Sequence, residues 1–451
     1  MNQIPSPVEL TTSLSLQLAS AIMARPVSDD DLQAAALFTL DAVANIVAGR
    51  NSVQGRKLLT WQNSMSESSG GAIDQARLSF LYGSLCHILE VDDLHRASVV
   101  HPGCVVVPAV FAMAAGTDGK SALTATLRGF EACCRVGMSV GPEHYKIWHN
   151  TATCGPFGSA VAVAGLLGLD ETACVHAIGN AGSQSAGLWQ FLDTGAETKH
   201  LHAGRGAEAG VVAATLAAHG FTGAPEILEG DRGFYKATCP DPDQSRLLPG
   251  ADERWQLHET SIKPWPSCRH THPAIECALA LHRQLRDGGT IRAVRISAYQ
   301  AALDLCDRME VETAYAGKFS LQHCVATALI RGAVVFDNFE AEARSEAGDL
   351  RNKTSVSSVD EYQSAYPVHW GSRVEVELQD GTVISHAVAD ARGDPELPLS
   401  HDDMVAKARG LLTHGRHPDP ERLIEQVLAM PAGGVVPDLS GLMSSAEKSA
   451  D

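Results

Sequence analysis

The chain has 451 residues, 45% hydrophobic and 20% charged, a globular composition too long for a single ordinary core. Its net charge of −18 repels nucleic acid and anionic membranes, which excludes both as expected partners and requires that a site for any anionic substrate be locally basic. Abundant Ala with only 5% aromatics favours close-packed helices over a β-sandwich, and 11 cysteines without a repeating framework fit reduced thiols in a cytoplasmic protein.

In chain order, residues 7–24 predict a first helix with Leu10, Leu14, Leu18 and Ile22 on one face. Glu9, with no basic region ahead of an apolar core, does not fit a signal peptide. Ser28, with Asp31 three residues on, predicts the N-cap of a second helix that stops at Gly49. Further helices are expected over 75–90, 104–116, 121–140, 151–168, 172–186 (capped by Asp170) and 206–220. The longest apolar runs, Val105–Ala115 and Val161–Leu169, fall short of a membrane span. Ile291–Tyr299 and Arg373–Leu378 then alternate as strands, Asp380-Gly381 marks a hairpin turn, and Thr382–Val388 returns. Helical stretches near 272–287 and 318–336 lie between them. Ser400 with Asp403 restarts helix to about Leu412, and a last helix covers 419–430. The expected fold is mainly α: a large discontinuous all-helical domain, residues 1–264 and 396–451, with a smaller inserted α+β domain, residues 265–395.

Four segments carry candidate chemistry. Glu90–Pro108, EVDDLHRASVVHPGCVVVP, sets Glu90, Asp92 and Asp93 beside His95, Arg96 and His101, directly ahead of an apolar run. Charges entering a core need partners, so a functional pocket and a solvated helix end explain this stretch equally well. Glu143–Gly158, EHYKIWHNTATCGPFG, places Tyr145 and His149 four apart, on one face if the piece is helical; an ordinary capped helix end explains it as well. Thr198–Gly210, TKHLHAGRGAEAG, gathers Lys199, His200, His202 and Arg205 and is the best anion site in so acidic a chain. A solvated basic helix start is the plainer reading. Its Gly204, Gly206 and Gly210 do not have dinucleotide-loop spacing, and no strand precedes them. Ile262–His272, IKPWPSCRHTH, holds Lys263, Cys268, Arg269, His270 and His272. Cys-x-His-x-His is not an established zinc spacing, and taken alone the segment reads first as a rigid interdomain connector with solvated charges. No G-x-S-x-G, P-loop or H-E-x-x-H motif is present.

Together these blocks, with KFSLQHCVATAL near residue 320, resemble the MmgE/PrpD family, which includes 2-methylcitrate dehydratase, cis-aconitate decarboxylase and iminodisuccinate epimerase. The resemblance covers at least residues 30–340. It implies a helical domain with an α+β lid, a site between them, a homodimer, and action on small di- or tricarboxylates without metal or organic cofactor. His101 and His149 match the family's active-site histidines, Lys199 the lysine before its glycine-rich turn, Lys263 the lysine of its K-x-[FYW]-P segment, and Asp93 an acidic residue of its first motif. Glu90 stands where the decarboxylase-like branch has Asp. Asp92-Asp93-Leu94-His95 departs from the Asp-Asp-Thr of the dehydratase and decarboxylase branches, and Cys268 replaces a His of the decarboxylase-like branch.

Tyr145 near His149 is closer to the epimerase branch. The resemblance therefore favours an isomerase over a lyase of the 2-methylcitrate dehydratase or decarboxylase type. Tyr145, His149, His101 and Lys263 are then the candidates for proton transfer. Lys199, His202, Arg205, Asp93, Cys268 and Arg269 are the candidates for holding substrate carboxylates. A remote alternative is a metal or carboxylate binder built on Cys268, His270 and His272.

Overall fold

The computed structural model describes residues 13–69, 73–250, 253–285 and 290–443, with the backbone alone for 66–69. The start of the first expected helix, with Glu9 and Leu10, and the tail past residue 443 lie outside the described residues. The chain forms two compact units, Met1–Thr260 with Ser400–Asp451, and Ser261–Leu399.

The first unit is helical: α1 Leu14–Ala24, α2 Asp29–Gly49, α3 Val53–Ser69, α4 Gln75–His87, α5 Gly103–Ala114, α6 Gly119–Ser139, α7 Pro142–Tyr145, α8 Asn150–Leu166, α9 Glu171–Gly182 and α10 Thr198–Ala218. Two helices from the end of the chain, His401–His414 and Pro420–Leu428, complete it. The expected caps form: Ser28 and Asp31 make a capping box on α2, Ser400 and Asp403 make one on His401–His414, and Asp170 accepts from Ala173 N–H. α2 is long and apolar enough to cross a membrane by composition alone, but most of it is buried inside this unit. Helix α3 was not expected, because its polar sequence shows no apolar stripe. Helix α10 starts eight residues before the expected Gly206, so the basic cluster is helical too.

Small residues let these helices approach closely. A Cβ on Gly210 of α10 would lie 2.1 Å from Ser159 Oγ and 2.5 Å from the Ala160 nitrogen on α8. A Cβ on Gly204 would lie 2.2 Å from Ser84 Oγ and 2.6 Å from the Phe80 carbonyl on α4. The glycines of TKHLHAGRGAEAG therefore serve helix crossings.

The second unit carries a four-stranded sheet in the order Thr354–Ser358, Ile291–Ala298, Ser372–Leu378, Val383–Val388. The first pair is parallel and the others antiparallel. Val294 faces Val376 and Ile296 faces Val374, all fully buried, and helix His272–Gln284 packs on this sheet. Gly381, at φ 85°, makes the expected hairpin turn. The strand Thr354–Ser358 was missed because its serines give weak β propensity. Two two-residue strands, Leu94–His95 and Thr260–Ser261, also lie outside the expected range.

Candidate active site

The helical unit gathers five buried imidazoles, from His87, His101, His149, His200 and His202. They come from four places: the end of α4, the loop between α4 and α5, and the starts of α8 and α10. That loop is strained. Glu90 has φ 60° and Val99 φ 52°, left-handed values that non-glycine residues rarely adopt and that cost of order 1–3 kcal/mol each.

Glu90 meets the basic cluster. Both its carboxylate oxygens accept from Lys199 Nζ, at 2.6 and 2.7 Å, in a buried pair. Asp92 Oδ2 lies 2.7 Å from His87 Nδ1 and 3.4 Å from His101 Nδ1. His101 Nδ1 also lies 2.5 Å from the Asp93 carbonyl, which can only accept. The ring proton therefore sits on Nδ1 and leaves a lone pair on Nε2. The His101 backbone N–H donates to Thr151 Oγ1 on α8, at 3.1 Å, which ties the loop to that helix.

Asp93 points elsewhere than the sequence reading placed it. Both its oxygens accept the Gly103 N–H at the start of α5, at 3.1 and 3.0 Å, so it closes a helix N-terminus. Burial, and then the neighbouring Asp92 and Asp41 carboxylates, raise its pKa well above the usual range.

His149 caps α8 and stacks near His87, with ring centroids 5.9 Å apart. Its Nδ1 lies 3.2 Å from His202 Nδ1. Burial, and then the charges of His87 and Lys199, push His149 well below the ordinary histidine value, and the same causes take His202 to about 4. Both rings are held neutral. Tyr145 and His149 do not share a helix face, since α7 ends at Tyr145 and α8 begins after His149. Trp189 joins them instead, with ring centroids 5.3 Å from Tyr145 and 4.6 Å from His149.

Arg205 is a correction. Its side chain is exposed and pairs with Glu208 three residues on, whereas Lys199 and His202 are buried. Along α10, residue 205 lies about 120° around the helix from residue 199, which carries its side chain to the surface.

In the second unit, Lys263 is 1% exposed. The adjoining Ile262 N–H donates to the Gly393 carbonyl, and Gly393, at φ 91°, leaves no room for a side chain there. Cys268 is half-buried, and its N–H donates to the Lys318 carbonyl. Arg269 is a second correction. It is buried in an ion pair with Asp394 and donates to His272 Nδ1 at 2.8 Å and to the Arg392 and Ala391 carbonyls. Its guanidinium is spent on the fold rather than held for a substrate. His270 Nδ1 bonds the Tyr299 hydroxyl at 2.7 Å and stacks on Trp370, and His272 Nε2 faces the Ser267 carbonyl. These ring nitrogens are engaged, which removes support for a metal centre on Cys268, His270 and His272.

Among the described residues, two other groups have donor atoms within 4.8 Å of one another, as a cation would require. They are His87, Asp92 and His101, and the more exposed His369, Asp390 and Glu396. In the first, hydrogen bonds already occupy both Nδ1 atoms, an arrangement that suits proton transfer.

Sequence reasoning passed over His87 and Trp189, and named Asp92 only as a member of the acidic cluster. The signal for His87 was present: it ends a helix buried throughout its last ten residues, five positions before a carboxylate.

A helical scaffold thus buries a group of imidazoles beside a lysine–carboxylate pair. The chain belongs to the MmgE/PrpD family: the family's N-terminal domain matches residues 17–247 and its C-terminal domain residues 265–430. It is 26% identical over 400 residues to the cis-aconitate decarboxylase-like protein oryM of Aspergillus oryzae, covering 81% of this chain and 82% of that protein. It is 24% identical over 438 residues to a cis-aconitate decarboxylase of Aspergillus terreus, covering 89% of each. The human cis-aconitate decarboxylase is 24% identical over 351 residues, covering 73% of this chain and 71% of that protein.

Proposed function

We propose that the protein is a lyase that decarboxylates or dehydrates a small tricarboxylate of the cis-aconitate or methylcitrate type by moving a proton at carbon. The buried imidazoles of His101 and His149, beside the Lys199–Glu90 pair, carry this reading. The relatives' names and the length of the match support a lyase over the isomerase that Tyr145 and His149 suggested.

In decarboxylation the C–C bond to one carboxylate breaks and CO₂ leaves. The electron pair shifts into the adjoining unsaturated system, and an acid returns one proton to carbon. In dehydration a base takes the carbon-bound proton, and hydroxide leaves as water with a proton from an acid. Dehydration needs a base and an acid, decarboxylation an acid that delivers a proton to carbon, both in a dry site. His101 Nε2, and His149, held neutral by burial, are the candidates that take the proton up and, once protonated, return it. Lys199 supplies the fixed positive charge that stabilises the enolate-like intermediate. Lys263 is kept as a candidate because it matches the family's K-x-[FYW]-P lysine.

Proton NMR in D₂O with cis-aconitate, 2-methylcitrate and iminodisuccinate tests the proposal. Expected are new vinyl signals from cis-aconitate, or, from 2-methylcitrate, loss of the methine signal with a new methyl singlet on a double bond. Washout of the Cα–H of iminodisuccinate without new vinyl signals would replace the lyase with the epimerase.

A further inference from the structure

Behind the site, one cation enters a group of carboxylates. Lys407 lies on helix His401–His414 at the far end of the chain, and its side chain is 8% exposed. Its Nζ lies 2.5 Å from Asp41 Oδ1 on α2 and donates to the Val91 carbonyl at 2.8 Å. Val91 sits between the strained Glu90 and the imidazole-bearing Asp92.

We infer that Lys407 is a positioning residue of this site: it pins the Val91 carbonyl and balances the buried Asp41 carboxylate in the group that includes Asp92, so that Asp92 stays ionised against His87 and His101. The inference rests on the lyase reading for its activity assay and on geometry for the rest.

Two arguments carry it. The first is mechanical. A left-handed Glu90 persists only where neighbours hold it, and its side chain is held by Lys199 while the next carbonyl is held by Lys407. Two lysines from distant parts of the chain thus grip consecutive residues. Releasing one grip lets the backbone relax and moves Asp92 away from the imidazoles.

The second is electrostatic. The buried groups around this point are Asp41 on α2, Cys86 and His87 on α4, Asp92, Asp93 and His101 on the loop, and Cys134 on α6. The Cys86 thiol is raised by burial and then by Asp92, Asp93 and Asp41, and Lys407 acts against that rise. Asp93 is raised by burial and then by Asp92 and Asp41. Neighbouring buried carboxylates cannot all be ionised cheaply, and Asp93 is the one that burial, Asp92 and Asp41 hold toward its neutral form. Without Lys407 the group takes up one more proton, drawn from solvent, and Asp92 competes with Asp41 for it.

Lys407→Met and Lys407→Arg test this on the full chain. For Lys407→Met, kcat on the substrate identified by NMR should fall about tenfold to a hundredfold while KM changes little, because loop displacement acts on the reacting geometry. Lys407→Arg should retain most of the rate. Infrared difference spectra of the substrate-free protein at neutral pH should show one additional protonated-carboxyl band in Lys407→Met and none in Lys407→Arg. A role confined to packing would not move that band. If Lys407→Met fails to fold, Asp41→Asn/Lys407→Met removes both charges and still lacks the Val91 anchor, so its kcat should remain low. Wild-type kcat in whichever variant folds, or no additional carboxyl band in a folded Lys407→Met, would overturn the inference. A wild-type enzyme silent on every substrate would instead refute the lyase reading, and the infrared result would still decide the role of Lys407.

Discussion

Removing Lys199 alone should unfold the protein more readily as well as silence it, and the two effects can be separated. The Lys199 and Glu90 side chains are 8% and 2% exposed and share two charged hydrogen bonds. Lys199→Met keeps the length of the side chain but leaves the Glu90 carboxylate buried without its cation. Breaking a buried pair from one side costs about 3–5 kcal/mol. A helical unit of about 310 residues has an unfolding entropy of roughly 0.65 kcal/mol per degree, so the midpoint should fall by about 5–8 °C. Glu90→Gln/Lys199→Met removes both charges and should recover most of that loss, since neutral replacements of buried pairs are often as stable as the originals. Both variants should lose turnover by at least about a hundredfold, because neither presents the fixed cation. Scanning calorimetry with circular dichroism gives the stabilities, and the NMR assay gives the rates. A Lys199→Met as stable as wild type would refute the pairing argument, as would a double variant no more stable than the single one. A double variant with wild-type turnover would remove Lys199 from the chemistry.

His101→Asn and His149→Ala should each lower kcat by about 10²–10⁴-fold with the fold retained by circular dichroism; wild-type rates would take that imidazole out of proton transfer. Arg205→Ala should leave stability within about 0.5 kcal/mol and activity near wild type, because its side chain is exposed; a large loss of activity would restore it to the site. Gly210→Ala should destabilise by about 1–3 kcal/mol despite the better helix former, because the new methyl must displace Ser159, whose hydroxyl donates to the Gly206 carbonyl; denaturant midpoints test it. His270 is held neutral, with its pKa lowered to about 3 from 6.5 by burial and then by Arg269. The unfolded chain therefore binds its proton first, so this contribution is complete above pH 6.5 and is lost as pH falls toward 3. It should cost about 2 kcal/mol by about pH 5, and His270→Phe should flatten that part of the pH–stability curve.

What the sequence revealed followed from local physics. Ser28 with Asp31 and Ser400 with Asp403 are capping boxes because the chemistry of a helix start lies within four residues. Val374, Val376 and Leu378 announce a strand by alternation, and Asp380-Gly381 its turn. The site was half legible for the same reason. Charged and imidazole groups at the edges of apolar runs had to be paired somewhere, so His101, His149, Lys199 and Glu90 stood out as unusual residues. Their partners could not be read. Lys199 finds Glu90 across 109 positions, and Lys407 reaches Val91 across 316. Arg205 and Arg269 were misjudged by one rule, that a cation in a basic cluster waits for a ligand. Rotation along α10 carries the first to the surface, and Asp394 claims the second. Asp93 shows the converse, a carboxylate in an acidic motif that closes a helix and is held toward its neutral form. Residue type marked the segments, and only the fold shows which of their charged groups pair within the chain.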